Sequence, residues 1–143
     1  MICDTDRALA AALLPLAGVA AVALGGSRAS GLADAASDTD LYALCPTGVP
    51  DAAARVRALA PLADGGRVRR ETAWGDEDHL HLDGRLVEIV YLDGSVLDVE
   101  RFYDPGAEPT GYTTAFLHAL AGAVGVADPD GTLAALQERL RAF

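Results

Sequence analysis

An α+β domain is what the sequence predicts, and three observations predict it. A short apolar run, VAAVAL, is bounded by glycines; an alternating segment, HLHLDGRLVEIVYL, has a tight turn at its centre; and alanine-rich stretches carry leucines at helical spacing. With 143 residues, 51% of them hydrophobic, the chain has the material for one domain with a real core.

Each element can be justified in order. Asp4 and Thr5 can cap a helix running to about Leu16, with Leu9, Leu13 and Leu16 on one side. Val19 to Leu24 reads as a strand buried on both faces, ended by a tight turn at Gly25, Gly26 and Ser27. Asp38 to Cys45 alternates and then runs apolar, as a second strand does when it enters the core through Leu41 and Leu44, and Pro46 to Pro50 closes it. Asp51 to Ala63 reads as a helix with Val56, Leu59 and Leu62 facing inward, and Arg67 to Thr72 as a short strand. Asp83 and Gly84 are the two central residues of a hairpin whose second arm holds a single acid, Glu88, among Leu86, Val87, Ile89, Val90 and Tyr91. Gly111 to Ala121 and Gly131 to Ala142 read as two helices linked by VADPDG. The chain therefore divides into a main domain over 1–106 and a helical extension over 107–143 packed on it.

Charge narrows the function classes. The net charge of -10 comes from 21 acidic against 11 basic residues, and every basic residue is an arginine. A grip on duplex nucleic acid asks for a basic face, so that class is excluded, whereas a small polyphosphate bridged to clustered acids by a divalent metal stays open. Cys3 and Cys45 lie far apart and form no disulfide or metal pattern, which fits a reducing compartment. The apolar stretch from Ala8 to Ala23 is broken by Pro15 and Gly18 and is short of a membrane span, so a cytoplasmic protein without membrane association is expected.

Chemistry concentrates in GGSRASGLADAASDTDL, Gly25 to Leu41. Residues two apart on a strand point the same way, so Asp38 and Asp40 are expected to present both carboxylates on one face. Such a pair is costly unless a cation neutralises it, and a hard, oxygen-rich pair suits Mg2+ with substrate phosphate completing the shell. Gly25 and Gly26 remove side chains where backbone amides approach phosphate oxygens, Ser27 adds a hydroxyl donor and Arg28 adds charge. The segment lacks GK[ST] and GxGxxG, which argues against a Walker loop or a dinucleotide fold. Glu88, on an otherwise apolar strand, would be expensive there without a partner.

Blander roles suit other residues. His79 and His81 share a strand face, but with Asp83 they lack a further ligand for zinc and are expected to face solvent, as are Arg67, Arg69 and Arg70. Trp74 can stack on a base or acceptor ring, or serve as a hydrophobic plug. Tyr42, Tyr91 and Phe116 read as core or rim, and His118 has no partner that the sequence identifies.

A glycine-serine turn followed by a spaced Asp-x-Asp on the next strand resembles the signature of the DNA polymerase β nucleotidyltransferase superfamily, and Glu88 in LVEIVY occupies the position of that superfamily's third carboxylate, more often aspartate. GGSRASGLADAASDTDLYALC, Trp74-Gly75 and the tail from Gly111 are similar to bacterial nucleotidyltransferase-domain proteins akin to the aminoglycoside and lincosamide enzymes. The resemblance implies a mixed β-sheet flanked by helices. It implies a Mg2+-dependent enzyme with two ions, Mn2+ substituting, held by Asp38, Asp40 and Glu88. It implies a nucleoside triphosphate, ATP first, whose outer phosphates rest on Gly25, Gly26, Ser27 and Arg28, and a small-molecule hydroxyl as acceptor. Relatives often continue into a larger helical domain, so the resemblance leaves open a piece of a longer chain, a stand-alone minimal enzyme, or a site completed by a homodimer or a helical protein partner. Two alternatives follow: a minimal nucleotidyltransferase antitoxin binding or modifying a helical toxin, and a non-catalytic nucleotide-binding module.

Overall fold

The apolar run after Gly18 becomes β1 (Ala21–Leu24), and all four of its residues are buried, as a strand covered on both faces requires. A computed structural model of the chain, which describes residues 1–34, 37–73, 75–103 and 111–142, places this strand in a six-stranded sheet. α1 (Asp4–Leu13) precedes it. After it come α2 (Gly26–Ser30), β2 (Thr39–Cys45), α3 (Ala52–Leu59), β3 (Val68–Glu71), β4 (Asp76–Leu82), β5 (Arg85–Asp93), α4 (Gly94–Leu97), α5 (Gly111–Ala121), β6 (Val124–Ala127) and α6 (Thr132–Arg141). The strand order is β3-β4-β5-β2-β1-β6. β2 and β5 are parallel and the other neighbours antiparallel, so the sheet is mixed.

Paired residues share a sheet face, and the register therefore sorts the side chains into two sets. On one face Val22, Leu24, Leu41, Ala43, Val87 and Ile89 pack against Leu9 and Leu13 of α1 and Leu59 of α3. On the other, Ala21, Ala23, Leu44 and Leu92 pack against α4, against Leu117 and Leu120 of α5, and against Leu133 and Leu136 of α6. This second apolar cluster takes the later residues of β2 and β5. The earlier residues on that face are Asp40 and Glu88.

The hairpin forms as the sequence predicts. Asp83 (φ 51) and Gly84 (φ 77) both take positive φ between Leu82 and Arg85, the two-residue turn whose twist matches the strands. The Asp64 carboxylate fixes the turn by accepting the N–H groups of Asp83 and Gly84 at 3.0 and 2.8 Å.

Three expectations change. α1 stops at Leu13, short of Leu16: Leu14 keeps helical backbone and donates its N–H to the Ala10 carbonyl, but Pro15 has no N–H to continue the ladder. The tail supplies a strand as well as helices: VGVA, of which Val126 and Ala127 belong to the expected linker, pairs as β6 with β1, and sheet-edge pairing supplies what its weak local pattern does not. On α3 the inward residue is Arg55, 1% exposed, while Val56 is 39% exposed. A buried acid accounts for the exchange. Asp78, also 1% exposed, accepts from Arg55 Nε at 2.8 Å and Nη2 at 3.2 Å. The guanidinium also donates from Nη1 to the Pro50 carbonyl at 3.0 Å and lies over the Tyr91 ring, 4.5 Å from its centroid.

Removing one partner of such a pair strands the other charge. Arg55→Met is expected to cost about 3–5 kcal/mol in a urea melt, and adding Asp78→Leu to recover most of that loss. A double variant no more stable than the single one would show that the pair does not set the cost.

Candidate active site

Between β1 and β2 the chain turns through Gly25, Gly26 and Ser27 directly against β2. The Gly25 N–H donates to the Asp40 carbonyl at 2.8 Å, one step beyond the β1–β2 ladder. Gly25 lies on the Tyr42 ring, and Gly26, at φ +61, lies on the Asp40 carboxylate; a Cβ at either position would collide with it. The two glycines are thus required by close approach of the turn to β2, and at Gly26 by backbone conformation as well.

Asp40 pairs in register with Glu88 on the neighbouring parallel strand, so both carboxylates leave the sheet on one face. The Asp40 carboxyl is pushed up to about 6 by burial, by a hydrogen bond shared with Glu88, and by the charges of Glu88 and Asp38. Asp38 itself is exposed and precedes β2 by one residue, so strand alternation does not set its direction; its charge adds to those that raise the Asp40 carboxyl. Tyr42 is a further witness. Its phenol is held above the ordinary range by burial and then by Asp40, Glu88 and Glu77, while its ring meets Phe116 edge-on at 6.0 Å.

Arg28 has other partners than a phosphate. Its guanidinium donates to both oxygens of buried Asp6, at 2.7 and 2.6 Å, and to Thr39 Oγ1 and the Met1 carbonyl, each at 3.0 Å. Burial alone would lift the Asp6 carboxyl, but Arg28 and the Cys3 N–H hold it below its usual range. The arginine at this position ties α2 to α1 and to the start of β2. Ser27 lies within α2, partly exposed, and its carbonyl accepts from Leu32 N–H and Ser30 Oγ. Trp74 lies outside the described residues.

Two residues join the acids that the sequence reading left out. In Asp76-Glu77-Asp78-His79 the strand alternation sends Asp78 to the core with Arg55, and sends Glu77 and His79 to the face of Asp40 and Glu88. His79, expected to face solvent, has a side chain only 14% exposed; it stands opposite Glu88 in the register and contacts Glu77 through Nε2 at 2.6 Å. One ligand atom each from Glu77, His79 and Glu88 lie within 4.8 Å of one another. The turn carried the missing signal: counting back from Leu82 opposite Arg85 puts His79 opposite Glu88. His81 is exposed on the same face, as are Arg67, Arg69 and Arg70 elsewhere on their strand and its approach.

Among the described residues no arginine forms an ion pair with Asp38, Asp40, Glu88 or Glu77. The paired arginines are committed to Asp4, Asp6, Asp76, Asp78, Glu71, Glu100 and Glu138. Asp40, Glu77 and Glu88 thus share one face of adjacent strands with no arginine ion pair among the described residues, Glu77 meeting the His79 imidazole instead, and carboxylate oxygens grouped in this way suit divalent cations. No protein-family model matches the chain, and no curated protein matches it. No helix among the described residues is long and apolar enough to cross a membrane.

Because folding raises Asp40 from 3.8 to about 6, the folded chain keeps a proton there that the unfolded chain has lost, and stability falls as pH rises across that window. Asp40→Asn removes this contribution. In chelator at pH 7.5 it is expected to melt about 3 °C higher, a gain of about 1 kcal/mol after allowance for solvent screening, with a flatter pH dependence between about 4 and 6. Calorimetric scans across that range check it; parallel wild-type and variant curves would contradict it.

Proposed function

We propose that this protein transfers a nucleoside monophosphate, AMP in the first instance, from a nucleoside triphosphate to a hydroxyl of a small acceptor, with Mg2+ held by Asp38, Asp40 and Glu88. The observation that carries the reading is the in-register placement of Asp40 beside Glu88 on one sheet face, directly against the Gly25-Gly26-Ser27 turn. The donor set fits the ion: it is all carboxylate oxygen, with no arginine in ion-pair contact among the described residues. When bound, Mg2+ supplies positive charge at the α-phosphate and at the attacking oxygen.

The chain's own residues do the rest. Gly26, lacking a side chain, leaves backbone open beside Asp40 for the outer phosphate oxygens, and Ser27 adds a hydroxyl donor. Glu88 accepts the acceptor hydroxyl's proton as that oxygen bonds to the α-phosphorus. The bond from the α-phosphorus to the bridging oxygen breaks, and pyrophosphate leaves with the electron pair. Asp40 keeps its carboxylate against the turn, where it aligns the triphosphate with the glycine backbone. Arg28 is left out of phosphate binding here because Asp6 occupies its guanidinium.

The test is pyrophosphate release from ATP, GTP, CTP and UTP with Mg2+ across a panel of hydroxyl-bearing acceptors. Release is expected with at least one pairing, and Asp40→Asn or Glu88→Gln should lower it about 100-fold or more with the circular dichroism unchanged. Mg2+-dependent ATP binding without release would instead identify a non-catalytic nucleotide-binding module, and undiminished release by Asp40→Asn would place the chemistry elsewhere.

A further inference from the structure

We infer that Glu77, His79 and Glu88 form a separate cation position on the same face, one that takes a first-row transition ion such as Mn2+ or Zn2+. Their three ligand atoms lie within 4.8 Å of one another, a spread that small rotations of the two glutamate side chains close around one ion. The residues sit on the adjacent antiparallel strands β4 and β5, so the backbone holds their spacing. Asp38 and Asp40 offer oxygen alone. His79 brings an imidazole nitrogen, and a mixed nitrogen and carboxylate set favours Mn2+, Fe2+ or Zn2+ over Mg2+.

Charge points the same way. Glu77 and His79 have side chains 10% and 14% exposed, and among the described residues no arginine forms an ion pair with Glu77. A carboxylate so far removed from water calls for a cationic partner, and the neighbouring arginine does not serve it: Arg69 pairs with Glu71 and turns its Nη2 to His79 Nδ1 at 3.3 Å. That contact also fixes the ring. A guanidinium only donates, so in that contact Nδ1 accepts, which leaves Nε2 to donate to Glu77. To bind an ion at Nε2 the ring must move that proton to Nδ1, and Arg69 must release it. The Arg69 side chain, 71% exposed, can swing into solvent. Arg69 is thus a latch that competes with the ion, and its removal should tighten binding where loss of a mere surface contact would not.

The inference requires no nucleotide and is separable from nucleotidyl transfer, although Glu88 is common to both sites. Mn2+ alone is the probe, titrated into the full chain in excess Mg2+ and followed by electron paramagnetic resonance, with nitrogen modulation of the electron spin echo reporting an imidazole ligand. One Mn2+ with nitrogen modulation is expected. His79→Gln should abolish the modulation and weaken binding about tenfold or more, Arg69→Ala should tighten it several-fold, and Asp38→Asn should leave it in place. The position is refuted by wild-type Mn2+ without nitrogen modulation, by unchanged affinity in His79→Gln, or by loss of the ion in Asp38→Asn, which would assign it to the aspartates. Unchanged affinity in Arg69→Ala refutes the latch. Because Arg69 is an exposed side chain on an edge strand, that variant remains informative even if His79→Gln folds poorly.

Discussion

Two carboxylates held side by side repel, and β2 and β5 nevertheless keep Asp40 against Glu88. What holds them there is the opposite face of the same two strands. Leu41 pairs with Ile89 and Ala43 with Tyr91, all four buried, so the hydrophobic pattern of the core fixes the register. A slip of one residue would carry Asp40 and Glu88 into that core and Leu41 and Ile89 out of it. The unfavourable contact is thus imposed by packing that the chain cannot rearrange cheaply. Its electrostatic trace is the raised Asp40 carboxyl.

The protein treats its buried acids in two ways. Asp6 and Asp78 are each met by two nitrogens of one arginine, Arg28 and Arg55 respectively, and each pair joins separate elements. Removing either arginine would leave a desolvated charge behind, so these pairs belong to the architecture. On the acidic face, among the described residues, no arginine plays this part. A chain without lysine that commits its best-placed arginines to structural pairs leaves Asp38, Asp40, Glu77 and Glu88 without an arginine ion pair among the described residues. The contrast between compensated and uncompensated carboxylates separates scaffold from site more sharply than the acidic composition does.

Much of this was legible in the sequence because it rests on short-range rules. Glycine-bounded apolar runs gave β1, the Asp83-Gly84 pair gave the hairpin, and a lone acid in LVEIVY marked Glu88. What escaped depends on which elements meet. Arg55 lies inward on α3 because Asp78 arrives from β4, and nothing within the helix's own pattern shows that acid. β6 exists because β1 offers an edge, and its own four residues are too weakly patterned to announce a strand. β2 begins one residue after Asp38, a difference at an element boundary, where local signals are weakest. Glu77 and His79 are legible only through the pairing, since the Asp83-Gly84 turn fixes the register that sets His79 opposite Glu88.

Arg28 shows how a charged residue next to a glycine turn can fix that turn in the scaffold. Its guanidinium joins Asp6 at the start of α1 to Thr39 at the start of β2, so α2 is tethered at both neighbours. α2 begins at Gly26, and Gly26 is the residue that lies on the Asp40 carboxylate. A five-residue helix has little stability of its own, so its position must come from tertiary contacts. The Arg28–Asp6 pair, with both partners largely withdrawn from water, is the strongest of these available to it. The order of dependence therefore runs from Asp6 through Arg28 to the turn, and from the turn to the backbone that faces Asp40.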